Sequence, residues 1–272
     1  MSLGLTVVGT LGSTSAIGGA DDALHDRRPI GDAVDLAVCG GRFGLDVQFV
    51  AAVDEEIDAE LRAPLAAEGV ELVCLDGATS NTGSELTPAW EEALRGSRRR
   101  EGLIVTCDAP APALDYALEL AQGERTLSAV VLARPYAIDP RRLGTADVVV
   151  ADLAAARALC GDGDDVGARG IARRIGAFGP KRVVLLDRTG RAGSVHFDGT
   201  DMRRIDFAKE RADHGPRITV FAAVLVASLA GGEHAVRALA QATRCAGLAD
   251  SGDWPFAHLP SAPGLSGEPE SD

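Results

Sequence analysis

Residues Ala212–Gly232 read ADHGPRITVFAAVLVASLAGG, a short polar turn running into a helix-length segment that is almost wholly apolar. Asp213, Gly215 and Pro216 punctuate the turn, and Gly231 and Gly232 close the segment. Thr219–Ala230 has no polar stripe, so a helix there must be covered on every side. Glu233–Leu248 carries apolar residues at three- and four-residue spacing and is expected to form its half-exposed partner. A glycine-containing turn before a helix is also the layout of an anion-binding loop, because the first backbone N–H groups of a helix have no partners within it.

Upstream of this pair, short apolar runs alternate with helix-length periodic segments, the pattern of βαβ units around a mostly parallel sheet. Strands are expected at Leu5–Val8, Asp46–Val50, Leu72–Leu75, Leu103–Thr106, Ala129–Leu132, Val148–Ala151 and Arg182–Leu186. Asp54–Glu68 and Ala111–Ala121 have helical periodicity. The expected fold is therefore an α/β doubly wound sandwich with a mainly parallel central sheet and helices on both faces. A chain of 272 residues with 46% hydrophobic residues can bury one large core. Residues 1–261 are expected to form one domain, and 262–272, rich in Pro, Gly, Ser and acid, a disordered tail.

The net charge of −13 would repel nucleic acid and anionic membranes over the whole surface. The one basic run, Arg98–Arg100, reads as a solvated helix end. No apolar run approaches the roughly 20 residues of a membrane span, and the start MSLGLTVVG lacks the layout of a secretory signal, so the expected location is cytoplasmic. Five scattered cysteines, Cys39, Cys74, Cys107, Cys160 and Cys245, form no CxxC pair and read as small core residues.

Five stretches, taken in order, carry a family resemblance. GLDVQFVAAVDEEIDAELRAPLAAEGVEL (Gly44–Leu72) has the form of a βα unit whose helix ends at Glu-Gly-Val. ADVVVADLAAARALCG (Ala146–Gly161) is similar to a strand and helix that normally carry Asn-Xaa-Xaa-Glu. PKRVVLLDRTGRAGSVHF (Pro180–Phe197) looks like a strand leading into a nucleotide site, followed by a hairpin. The Asp213–Gly232 segment is similar to the signature Asp-Thr-Xaa-Gly-Ala-Gly-Asp-Xaa-Phe, and ALAQATRCAGLA to the alanine-rich helix beyond it. Together these resemble the ribokinase-like sugar and nucleoside kinases, the PfkB carbohydrate kinases. The resemblance spans roughly Leu5 to Ser261. It implies ATP and Mg2+ as cofactors and a β lid over the site.

Phosphoryl transfer to an alcohol needs a base, backbone N–H groups for the transferring phosphate and a metal on the nucleotide. The position matching the family's base is Thr219, and a threonine hydroxyl is no general base near neutral pH. Pro216, Arg217 and Ile218 stand where glycines should shape the anion hole; proline offers no N–H, and isoleucine disfavours positive φ. Arg217 remains as a plain charge. The metal motif is matched by Asp152–Leu153–Ala154–Ala155, with Asp152 as the surviving metal-side acid. Thr14 stands nearest the sugar-gripping aspartate, and Asp35 replaces the asparagine of the glycine-rich loop, here IGDAVD. Asp187, Gly190, Asp213, Gly215 and Arg217 would line any nucleotide site. The interval Val70–Glu92 is too short for an extra pair of lid strands, so the lid should be reduced or absent.

Three functions fit these residues. The first is a kinase homologue that has lost efficient phosphotransfer and binds a small molecule or a protein partner, as a monomer or homodimer. The second is an active kinase whose base is Asp213 or Asp187. The third is a hydrolase or lyase using the same pocket. Any pocket should lie among Thr10–Thr14, Asp108, Arg134, Asp187 and the Asp213–Thr219 loop, at the carboxyl ends of the strands. Asp213–His214 reads more simply as a helix cap, Asp187 as a turn residue, His196 as a strand residue, and Thr79–Gly83 as a lid remnant.

Overall fold

A computed structural model describes residues 3–15, 27–53, 62–76, 86–97, 100–161, 166–187, 194–206 and 218–248. The strands are β1 Gly4–Thr10, β2 Gly12–Ser15, β3 Arg27–Ile30, β4 Asp46–Val53, β5 Val70–Asp76, β6 Gly102–Thr106, β7 Leu127–Leu132, β8 Val148–Asp152, β9 Arg182–Leu186, β10 Ser194–Phe197 and β11 Met202–Ile205. The helices are α1 Asp32–Arg42, α2 at 62–67, α3 Pro88–Gly96, α4 Ala111–Glu124, α5 Leu153–Cys160, α6 Ala168–Gly176, α7 Ile218–Ala230 and α8 Ala235–Leu248. All seven expected strands are present, and the described part of Asp54–Glu68 is helical at 62–67. The Asp213–Arg217 turn, Gly190, Thr79–Gly83 and the tail lie outside the described residues.

Nine strands form one sheet in the order β11-β10-β9-β8-β7-β6-β1-β4-β5, parallel except where β9, β10 and β11 run antiparallel. Val148, Val149 and Val150 show why: successive side chains point to opposite faces, and all three are fully buried, as a strand covered by helices on both sides requires. Leu5, Val7, Ile104, Val131 and Val150 belong to the layer beneath α1 and α7, whereas Val8, Val105, Val130 and Val149 meet the opposite layer of α3, α4, α5 and α6. Trp90 is buried in that second layer.

Helix α7 is rich in β-branched residues that alone would suit a strand, yet Ile218–Val226 are all buried in helical form. It packs on β6, β7 and β8, on α1 and on α8, so every face has apolar cover. A Cβ added at Gly102, the first residue of β6, would meet Val226 and Ala230 at 3.3 and 3.6 Å. The helix end therefore lies over the amino ends of the strands and its start, Ile218–Thr219, at their carboxyl ends.

The sequence did not anticipate the separate two-stranded antiparallel sheet of β2 and β3, in which Thr14 is opposite Arg28. It fits a reduced lid. Between Asp76 and Pro88 no strand occurs among the described residues. One expectation is corrected: Arg100 is not solvated. Its side chain is only 15% exposed, is paired with Asp46, and donates to the Asp46 carbonyl at 2.9 Å. Its position where β4 and β5 begin gives it carbonyl and carboxylate partners that a free helix end would lack. Among the cysteines, Cys39, Cys107 and Cys245 are buried as expected, while Cys74 and Cys160 are only half-buried.

Replacing Phe221 by Ala should lower stability by about 3–5 kcal/mol, because this fully buried ring has no room to be replaced by collapse of both layers. Urea unfolding checks it: the midpoint falls and the slope stays unchanged.

Candidate functional site at the switch point

The chain runs from β1 to β4 and β5 on one side, then returns to the other side of β1 and continues outward from β6. The direction of winding reverses between β1 and β6, leaving a crevice at their carboxyl ends. Polar side chains converge there. Thr10, at the end of β1, donates its hydroxyl to Asp108 Oδ2 at 2.8 Å, and its N–H lies 3.5 Å from Asp108 Oδ1. Thr106, at the end of β6, donates to the same carboxylate and lies 3.2 Å from the Val8 carbonyl.

Helix α1 brings the second acid. Gly31 precedes it with φ 152°, a conformation that a side chain would disfavour, and the chain turns there from β3 into the helix. Asp32, the first helical residue, accepts from Arg134 Nε at 3.2 Å and from the Tyr136 hydroxyl at 3.5 Å. Close approach of α1 to β1 needs Gly9: a Cβ there would meet Thr106 Oγ1 at 2.3 Å and the Ala33 Cβ at 2.5 Å. The glycine lets helix, strand and Asp108 share one small volume.

Burial dominates the electrostatics. It raises the Asp32 carboxyl above its ordinary range against the opposing Arg134 charge, with Asp108 and Asp35 pushing the same way as burial. Burial, then the Asp108 and Asp32 carboxylates, push the Tyr136 phenol up to about 12, so it stays a hydrogen-bond donor. Burial and the same acids drive the neighbouring Cys107 thiol up to about 12, which removes it as a nucleophile at neutral pH. Two carboxylates, a protonated phenol and a guanidinium in one crevice can bind vicinal hydroxyls, and burial makes Asp32 hold a proton more readily than an ordinary carboxylate.

Of the expected pocket, Thr10, Asp108 and Arg134 do come together. Asp32 and Tyr136 went unread. The signal for Asp32 was its place directly after Gly31, at the start of a helix that follows the first strand. Asp35 is also on α1, half-buried on its first turn. Thr14 is on β2. Asp187, at the end of β9, is four strand positions from β1, about 19 Å at the usual strand spacing, and is not part of this cluster.

A second pair of acids ends β8 and β9. Asp152 pairs in register with Leu186, the residue before Asp187, and both acids are buried, at 9% and 6% exposure. Asp152 Oδ1 accepts the N–H groups of Ala154 and Ala155 and so caps α5. The Asp187 N–H donates to Ser194 Oγ at 3.0 Å, tying β9 to β10. Thr219, buried at 5%, is on the first turn of α7. Among the described residues no group of three or more His, Cys, Asp or Glu side chains is arranged to hold a metal, and no helix is long and apolar enough to cross a membrane.

Neither a family model nor a curated protein matches the sequence. Solved structures do match the fold. A ribokinase from Giardia lamblia superposes with a TM-score of 0.75 at 13% identity, covering 96% of this chain and 97% of that one. Arabidopsis thaliana ribokinase complexed with ribose and ATP gives 0.74 at 15% identity, covering 96% and 97%. A carbohydrate kinase from Agrobacterium tumefaciens gives 0.69 at 17%, covering 96% and 95%. The protein has the ribokinase-like fold of these carbohydrate kinases.

Asp32→Asn should raise the melting temperature at pH 7. A carboxyl whose pKa is raised on folding holds its proton where the unfolded chain has lost it, so its ionisation erodes stability as pH rises through and above the carboxylate range. Melting curves at pH 7 and pH 4 check the sign: the gain shrinks at the lower pH. Asp152→Ala should cost about 0.5–2 kcal/mol through loss of the α5 cap. Thermal melts with and without Mg2+ should show the same loss.

Proposed function

We propose that this protein is a ribokinase-like small-molecule-binding protein that has lost efficient ATP-dependent phosphotransfer, and that its ligand is a polyhydroxylated compound held at the β1–β6 crevice. The observation that carries the reading is Thr219. It matches the family's catalytic base, and it sits buried on the first turn of α7 at the carboxyl edge of the sheet. A threonine hydroxyl there cannot take the proton of an attacking alcohol at neutral pH.

The other kinase parts agree. Ala155, which matches the glutamate of the metal motif, is a buried alanine whose N–H donates to Asp152. One oxygen of that acid is committed to the α5 cap, so the donors present do not fit a nucleotide-bound magnesium, and no step is assigned to one. The Thr10–Asp108 and Asp32–Tyr136 pairs, in contrast, supply acceptors and donors suited to hydroxyl groups. That the fold also serves a ribokinase complexed with ribose supports a polyol in this crevice.

The raised Asp32 carboxyl favours a second reading, in which the crevice performs proton-transfer chemistry of its own on the bound compound.

Incubation with radiolabelled ATP, Mg2+ and a panel of pentoses, hexoses, inositols and nucleosides should give turnover at least a thousandfold below the roughly 1–100 s⁻¹ typical of kinases. Turnover in that ordinary range would overturn the proposal. Calorimetry with the same panel should find a ligand whose affinity falls at least about tenfold in Asp108→Asn, the loss of one charge-assisted hydrogen bond. A ligand that is chemically altered in the absence of ATP, and spared by Asp32→Asn, would select the second reading.

A further inference from the structure

A cavity of about 410 Å3 opens at the other end of the sheet, where β9 begins, β10 ends and α8 starts. Its wall includes Lys181, Arg182, His196, Asp198, Arg203 and His234. The register explains the convergence. His196 is opposite Arg203 on β11 and opposite Val184 on β9, and Arg182 is two residues before Val184. Side chains on adjacent strands in register, and two residues apart on one strand, share a face. Arg182, His196 and Arg203 therefore project together from the face that α7 and α8 cover.

In a chain of net charge −13, this concentration of positive side chains is local and specific. The charges are incompletely balanced. Lys181 pairs with Asp147 at 2.5 Å, outside the cavity, and Arg203 is 3.4 Å from Asp201. Arg182 makes no ion pair among the described residues.

His196 adds a second, independent observation. It is only 4% exposed, and neither ring nitrogen has a hydrogen-bond partner among the described residues. A neutral imidazole carries one N–H, and burying it without an acceptor is unfavourable. Burial, with Arg182 and Arg203, holds the imidazole pKa below its ordinary value, while Asp198 and Asp201 oppose them. The wall's own carboxylate, Asp198, accepts from the Thr200 N–H and hydroxyl and from the Asp201 N–H, and makes no hydrogen bond to His196.

Helix α8 completes the geometry. It starts at Ala235 in the cavity wall, and the Val236 N–H lies 3.4 Å from His234 Nδ1. The positive end of the helix dipole thus lies beside the two arginines and the histidine.

We propose that this cavity binds a phosphate-bearing small molecule, with the phosphate bridging Arg182, Arg203 and His196 at the start of α8. A doubly charged phosphate matches two guanidiniums better than a single carboxylate would, since each fork can take two of its oxygens. The cavity volume is in the range of small-molecule pockets and exceeds what a bare phosphate fills, leaving room for an organic group. The site is at the amino ends of the strands, remote from the β1–β6 crevice, so it stands or falls separately from the function proposed above.

The test is calorimetric titration of the full-length protein with inorganic phosphate and, separately, with glycerol phosphate. Long-range 15N–1H spectra of the histidine rings are recorded alongside, with His196→Asn assigning the resonance. Saturable binding of either probe, weakened at least about tenfold in Arg203→Gln and in Arg182→Gln, is expected. The His196 resonance should move on binding, and its titration should shift to higher pH as an anion stabilises the imidazolium. Tighter binding of glycerol phosphate identifies a phosphate ester as ligand, and equal binding identifies free phosphate. Arg203 is a half-exposed strand residue, so its variant keeps the fold, as an unchanged melting curve would verify. Absence of binding up to about 10 mM, an affinity of under 3 kcal/mol, overturns the proposal. So does binding that neither arginine variant weakens.

Discussion

Everything in this molecule is arranged around the burial of one helix. Residues Ile218–Val226 of α7 have no side fit for water, and they can be helical only because β6, β7 and β8 lie beneath them and α1 and α8 beside them. The apolar area removed from water at full burial contributes about 1.5–3 kcal/mol for each large side chain. That gain offsets the local preference of isoleucine, threonine and valine for extended backbone. It also fixes the helix direction: the end packs over Gly102, so the start must come to the carboxyl edge of the sheet.

The same sheet that holds α7 makes the crevice. Because the winding reverses between β1 and β6, the loops that follow these two strands diverge, and the space between their ends is filled by side chains rather than by main chain. Gly9 lets α1 close on it, and Thr10, Thr106 and Asp108 satisfy one another there. Asp32 is the expensive member. Its ionised form is disfavoured by burial and by Asp108, with Arg134 only partly compensating.

The two ends of the sheet carry different sets of charged groups. The carboxyl end gathers Asp32, Asp108, Asp152 and Asp187; the amino end of β9, with β10, β11 and the start of α8, gathers Arg182, Arg203 and two histidines. A kinase on this fold needs positive potential and free N–H groups where the phosphates sit, at the carboxyl end. Here Asp152 accepts the first free N–H groups of α5, and Thr219 is a buried hydroxyl at the start of α7.

The sequence by itself determined seven strands of the central sheet, the buried and half-exposed C-terminal helices and the α/β class, because those depend on local periodicity and on runs of apolar residues. The proposal that Thr219 stands where a kinase base would be also rests on residue identity. It could not read Asp32 and Tyr136 as partners, since they are 104 residues apart and meet only through the order of strands. Nor could it reveal the shared face of Arg182, His196 and Arg203, which depends on antiparallel register between β9, β10 and β11. Thr14 and Asp35 are legible as positions in a motif, whereas the contacts among Thr10, Thr106 and Asp108 depend on the backbone bringing two strand ends together. Desolvation and register are properties of the folded chain, and tertiary structure alone decided which polar groups share a site.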